Sequence, residues 1–254
     1  MKANKMLIWA ALAATAIFSC AKQEDVEKEQ QEEAVKTQPE AVELGLSVKW
    51  ASWNLGASAP EEYGDYYAWG EIEPYYSSQS PLIWKDDKPD GYAWTSYRWC
   101  NGDWNKITKY CQANMSNFWD ASGSPDDKMF LDPEDDAAHV ILGGRWRMPT
   151  DEEWEELINN CSWTWTTING VNGQKVTSNK SGYTDKWIFL PAAGTRNYSE
   201  LINTGPAGCY WSSSIYTLYT GRPDSAWDAF FNSSGVYRYG NERYLGSSVR
   251  PVTE

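Results

Sequence analysis

Apolar and polar positions in this chain change period often, and only one region keeps a helical period. Asp132-Pro133-Glu134-Asp135 reads as a helix start, with Asp132 as cap, Pro133 in the first position and two acids at the positive end of the dipole. Ala137, Ala138, Val140, Ile141 and Leu142 fill that helix, and Gly143-Gly144 supplies the positive φ angles that stop it. Pro149 biases Met148 toward extended geometry, so the chain re-enters order at Thr150. Thr150 with Glu153 three residues on forms a capping box, and Trp154, Leu157 and Ile158 place one apolar stripe on a second helix from about Asp151 to Asn159.

Elsewhere the pattern is that of short strands. Leu44 to Asn54 alternates as one or two strands, and Tyr63 to Glu71 is a second extended, aromatic piece. Ile168-Asn169-Gly170-Val171 marks a tight hairpin, and Trp187 to Ala192 is an apolar run into a proline. Cys209 to Ser214, Ala226 to Asn232, Gly235 to Tyr239 and Ser247 to Val252 predict a terminal set of antiparallel strands. Residues 72–130 show little period and are broken by Pro74, Pro81, Pro89, Gly91, Gly102, Gly123 and Pro125. A structureless loop of that length is uncommon, so this region is expected to be ordered by Trp and Tyr anchors and to hold a local hairpin or short helix. The sum is an α+β chain with two short helices, small antiparallel sheets and long loops.

The first 43 residues follow other rules. Lys2 and Lys5 precede an apolar run from Met6 to Phe18, too short to span a bilayer, which ends at Ser19-Cys20. This resembles the lipobox of bacterial lipoproteins and implies a signal peptide over 1–19 with Cys20 as the lipidated first residue; an ordinary secretory peptide is the alternative. Residues 20–43 are rich in Glu and Gln, lack aromatics and read as an acidic disordered tether. Acids just after the lipidated Cys also resemble the export signal for the outer face of the outer membrane in the Bacteroides group, though a merely solvating linker fits as well. The folded domain is then 44–254.

Composition sharpens this picture in three ways. With 16 Trp and 16 Tyr, the chain has far more rings than its two helices can place, which favours strands and loops. A net charge of −13, with basic residues scattered, argues against a nucleic-acid partner. Beyond Cys20 there remain Cys100, Cys111, Cys161 and Cys209, which an exported chain permits to pair, Cys100 with Cys111 being near in sequence. Buried free thiols are the competing reading. With no CxxC and a single histidine, His139, a Cys/His zinc site is disfavoured, and His139 beside Val140 and Ile141 reads as a packing residue. No cofactor is expected; Asp86, Asp87, Asp90, Asp126 and Asp127 are the only oxygen-rich clusters that keep calcium open.

Several motifs recur in an order that carries a family resemblance. They are Leu44-Gly45-Leu46-Ser47-Val48-Lys49-Trp50-Ala51, Asn54-Leu55-Gly56-Ala57, Gly64-Asp65-Tyr66-Tyr67-Ala68-Trp69-Gly70-Glu71 and Asp135-Asp136-Ala137-Ala138. Trp146-Arg147-Met148-Pro149-Thr150, Leu190-Pro191-Ala192-Ala193-Gly194, Tyr210-Trp211-Ser212-Ser213-Ser214 and Ser248-Val249-Arg250-Pro251-Val252 follow. Together they resemble the Fibrobacter succinogenes major paralogous domain family. The resemblance implies a C-type-lectin-like fold with the two ends of the domain brought together. The central stretch is also similar to an element of formylglycine-generating enzymes, which share that fold and use paired reactive Cys with a metal. Cys209 lies at a comparable late position, but no second Cys follows it, and core packing or a disulfide is the expected role. The Glu-Pro-Asn and Trp-Asn-Asp residues of calcium-dependent sugar binding are absent from the domain.

No catalytic constellation stands out, so the expected activity is non-catalytic binding of a protein or glycan at the cell surface. An enzyme related to the formylglycine-generating type and a structural surface protein are the alternatives. The stretch from Tyr216 to Tyr244 mixes Tyr with Ser, Gly and Asn, as binding surfaces do. Its candidate ligand-binding residues are Tyr216, Tyr219, Trp227, Tyr237, Tyr239, Arg243 and Tyr244. Strand alternation puts Tyr237 and Tyr239 on one face and Val236 and Arg238 on the other.

Overall fold

The computed structural model describes residues 38–218 and 223–254, so the signal peptide, Cys20, most of the tether and Tyr219 lie outside the described residues. Residues 39–254 form one compact unit. Order begins before Leu44: β1 (Ala41–Val42) pairs with β2 (Lys49–Ala51), and β13 (Val252–Thr253) pairs with the other edge of β2. Trp50 therefore stands opposite both Val42 and Val252, and the first and last strands of the domain share one small sheet. Of the alternating run Leu44 to Asn54, only three residues are strand; Leu44 and Val48 are buried without a ladder.

The two expected helices form. In α1 (Ala137–Leu142) the cap is Asp136, whose side chain accepts from the His139 N–H, rather than Asp132. Asp132 begins a preceding 3-10 turn, Pro133–Asp135, and its carboxylate is drawn away by Lys109 and Lys128. Burial along α1 falls along the axis rather than around it. Ala137 and Ala138 are in the core, while Val140 and Ile141 are exposed near the Gly143-Gly144 stop, where both glycines have positive φ. His139 is half-buried, with Nδ1 3.2 Å from the Trp146 carbonyl oxygen. In α2 (Asp151–Asn160) the Thr150/Glu153 capping box is complete, and Trp154 and Leu157 are buried.

Three further sheets complete the scaffold around the late strands. β5 (Cys161–Ile168) and β6 (Val171–Ser178) form a hairpin whose turn residues, Asn169 and Gly170, both have positive φ, and β7 (Trp187–Pro191) adds to β6. β8 (Thr195–Asn197) and β9 (Glu200–Ile202) form a small ribbon. β10 (Ala207–Ile215), β11 (Ser225–Asn232) and β12 (Gly235–Glu242) form an antiparallel sheet in that order. Ser247 to Val252 does not join it as a strand; it crosses by single bridges, Ser248 to Tyr210 among them, and ends beside β2.

All nine residues of β10 are buried, because the strand is the wall between two cores. Trp211 faces a core rich in tyrosine, with Trp69, Tyr66, Tyr75, Tyr92 and Tyr110. Tyr210, on the other face, meets Trp50, Trp154, Leu157, Leu190 and Phe231. The long region 72–130 leans on the first core. It holds the expected hairpin, β3 (Tyr76–Gln79) with β4 (Leu82–Trp84), and a 3-10 helix over Ala113–Phe118. Its rings serve twice: the bodies fill the core while the polar tips cap loop backbone. Tyr97 Oη donates to the Trp69 carbonyl at 2.7 Å, Trp99 Nε1 to that of Gly70 at 2.7 Å, and Tyr92 Oη to that of Tyr66. Tyr63 to Glu71 forms no strand: Tyr67 bridges Ser247, the chain turns at Trp69-Gly70, and indoles hold the segment. Trp69 Nε1 donates to the Ser212 carbonyl and Trp211 Nε1 to that of Tyr67, each at 2.8 Å.

Candidate functional site

The residues that carry the family resemblance converge on the interior. Arg250 is fully buried, and its guanidinium donates to three neutral oxygens: Asn54 Oδ1 at 2.9 Å, the Ala51 carbonyl at 2.9 Å and the Phe189 carbonyl at 2.7 Å. Burial lowers its pKa to about 10. Asn54 in turn donates to the Tyr63 carbonyl and to Tyr210 Oη, and Tyr210 Oη donates to the Pro191 carbonyl. Asn54, Tyr210 and Arg250 thus form one polar clamp joining the first strand segment, β7, β10 and the chain end. Trp146, Arg147, Met148 and Thr150, from another of these motifs, line a hollow beside α1 instead.

The late cluster divides. On β12, Val236 packs on the second core, and Arg238 reaches α2 with Nη1 2.6 Å from Asp151 and Nη2 2.8 Å from Glu155. That face is sealed, so alternation turns Tyr237 and Tyr239 outward, 42% and 49% exposed, with ring centroids 5.8 Å apart. Phe230 lies beside Tyr239 on the neighbouring strand. Tyr216, Trp227, Arg243 and Tyr244 are buried. Tyr216 covers Gly240, where a Cβ would fall 2.4 Å from its ring, and packs edge-on against Trp227. Arg243 turns inward after β12, donates to the Lys109 and Tyr110 carbonyls and lies over the Trp69 and Tyr97 rings. Tyr244 is buried behind Trp94, with centroids 5.0 Å apart. Tyr216, Trp227, Arg243 and Tyr244 are thus structural, and strand alternation alone could not show which late residues the 72–130 region covers.

Beneath the exposed pair lies a buried acid. Asp228 stands opposite Tyr239 in the ladder; Oδ2 accepts from Asn241 Nδ2 at 2.7 Å, and Oδ1 has no partner among the described residues. Burial raises its pKa to about 7. Cys209, on the adjoining strand, is buried, and desolvation followed by the Asp228 charge pushes its thiol well above the usual range. Cys209 is a free thiol of the core. Cys100, Cys111 and Cys161 are also free and buried, each with its pKa raised first by burial, so of the two readings left open by the sequence the free-thiol one describes all four.

The Asp126-Asp127 cluster is engaged by the chain itself. Asp126 accepts from the Tyr110 and Cys111 N–H groups and Asp127 from that of Ala113. Among the described residues no group of three His, Cys, Asp or Glu side chains is arranged to hold a metal.

A cleft of about 610 Å³ lies where the 72–130 region meets the β8–β9 turn, lined by Asp90, Trp94, Thr95, Asp103, Tyr198 and Ser199 among others. Reciprocal backbone bonds between Tyr92 and Tyr198 join its two walls. Gly91 permits this approach, since a Cβ there would fall 2.5 Å from the Tyr198 carbonyl oxygen. Tyr198 has φ +50° and a 57% exposed side chain. Trp94 also lines a smaller hollow of about 250 Å³ with Trp104, Asp224 and Glu242. The sequence signal was present: Trp and Asp in Gly- and Pro-rich loops, the usual location of binding residues on a rigid scaffold. Comparison of the chain with family models, with curated proteins and with solved structures finds no match.

Proposed function

We propose that this chain is a lipid-anchored protein of the outer cell surface whose domain, C-type-lectin-like and of the major paralogous domain family, binds a macromolecular ligand without catalysing a reaction. The lipobox-like sequence ending at Cys20 and the acidic stretch after it support the anchor. The ordered motif series and the meeting of the first and last strands on β2 support the family and fold reading. The observation that carries the binding reading is the Tyr237–Tyr239 pair. Two amphipathic rings stand on a regular strand, fixed from behind by Arg238 on α2, so little side-chain order remains to be gained on contact. Neither ring lines the cleft at Trp94 and Tyr198, and a shallow surface of this kind suits a protein partner.

Changing Tyr237 and Tyr239 together to Ala is expected to weaken capture of a protein ligand on a surface-protein array by about tenfold or more, with the thermal midpoint unchanged. Undiminished capture would remove this site; a domain that captures nothing but self-assembles would favour a structural role. For the anchor, Cys20→Ala is expected to abolish metabolic labelling with a fatty-acid probe and to release the protein from the membrane fraction. Labelling that persists in the variant would overturn it.

A further inference from the structure

We infer that the cleft between Trp94 and Tyr198 is a second binding site, distinct from the β12 tyrosines, and that it takes an uncharged glycan. Its volume, about 610 Å³, lies within the roughly 300–1,000 Å³ of small-ligand clefts. Its lining matches the two sides of a sugar ring. Pyranoses present C–H faces that pack on aromatic rings and hydroxyls that donate to carboxylates. Trp94 and Tyr198 supply the rings; Asp90, Asp103, Thr95 and Ser199 supply acceptors and hydroxyls.

The rings are backed rather than loose. Tyr244 lies behind both, 5.0 Å from Trp94 and 6.4 Å from Tyr198 between centroids, and its hydroxyl donates to Asn197 Oδ1 at 3.3 Å. The acids are oriented: Asp90 Oδ2 accepts from Thr95 Oγ1 at 2.6 Å, and Asp103 Oδ1 from the Trp104 N–H at 2.8 Å. Each carboxylate keeps its second oxygen free of any of these bonds. Tyr198 adopts a left-handed backbone that costs a non-glycine residue energy, yet its ring is exposed, an arrangement that packing alone does not require.

Charge selects the ligand. Among the described residues no lysine or arginine lines the cleft, and a chain of net charge −13 repels sulfated or uronic-acid glycans. The other hollows are less suited. The one at Glu71 and Arg98 is neutralised by its own Lys88–Glu71 and Lys85–Glu73 pairs. The one beside α1, lined by Phe130, His139 and Trp146 among others, has its two arginines paired already, Arg145 with Glu254 and Arg147 with Glu153.

The inference assumes a binding domain but not the β12 surface, and the test separates them. Purified domain is titrated with cello-, xylo- and manno-hexaose while Trp fluorescence is followed. Tyr198→Asn removes the ring and keeps a residue that tolerates the left-handed backbone. It is expected to weaken the best of these ligands about tenfold without lowering the thermal midpoint. Asp90→Asn with Asp103→Asn retains acceptors and is expected to leave measurable glycan binding. The Tyr237/Tyr239 double variant is expected to bind the glycan as wild type does. Absence of binding to all three glycans, or binding indifferent to Tyr198→Asn, overturns the inference. So does stronger binding of a trimethyl-lysine peptide that Asp90→Asn with Asp103→Asn abolishes, because the cleft would then be a cation site. Loss of glycan binding only in the Tyr237/Tyr239 variant would place the sugar on β12 instead.

Discussion

Replacing Arg250 with Met should destabilise the domain by about 3–5 kcal/mol. The side chain is fully buried and has three neutral acceptors, Asn54 Oδ1 and the carbonyls of Ala51 and Phe189. No carboxylate among the described residues pairs with it, so its charge is stabilised only by these dipoles and by Tyr210, which favours the cation. Met fills similar volume but leaves three buried oxygens without donors. Arg250→Lys keeps the charge and is expected to recover little, because one ammonium cannot span the three directions of the guanidinium fork. In a chain this long, the Met variant should melt about 10 °C lower. A shift of only a degree or two would mean that water replaces the guanidinium and that the clamp is not central to the fold.

Asp228→Asn should do the opposite at neutral pH. The folded acid titrates near 7, raised from 3.8 by burial, so the folded state holds its proton more tightly than the unfolded chain does. The favourable contribution is therefore fully present below about pH 4 and is lost as pH rises through 7. At pH 8 the wild type carries a buried carboxylate with one unpartnered oxygen. The variant lacks that charge, keeps an acceptor for Asn241, and should be more stable by an amount on the order of 2–4 kcal/mol. At pH 4 the two proteins should be equal. Urea midpoints at both pH values decide it; parallel pH profiles for the two proteins would assign the titration to another group.

What was legible in the sequence is what local chemistry fixes. The Thr150/Glu153 box, the Gly143-Gly144 stop and the Asn169-Gly170 turn each act within a few residues, and each is present. The face of β12 was legible for the same reason, since pleating alone separates Tyr237 and Tyr239 from Val236 and Arg238. Asp132 and Asp136 show the limit: both are acids before a helix, and distant lysines, Lys109 and Lys128, decide which one caps. The Trp94 cleft was half legible: its loops carry Trp and Asp among Gly and Pro, but its walls are far apart in sequence and are joined by tertiary contacts such as the Tyr92–Tyr198 bridge. Tyr216, Trp227, Arg243 and Tyr244 look like a binding surface by composition, yet the same amphipathic rings serve equally well inside a core that must cap loop backbone.

The small sheet around β2 has a consequence for how this domain can be used. Its first and last strands flank Trp50 on either side and run parallel to one another, two strand spacings, about 10 Å, apart. A linker of a few residues can close that gap. The fold is thus suited to circular permutation, with new ends opened at Gly102 or Gly123, where an added Cβ would meet only open space. It can equally be spliced into a host protein as a cassette that enters and leaves through the two outer strands of one small sheet.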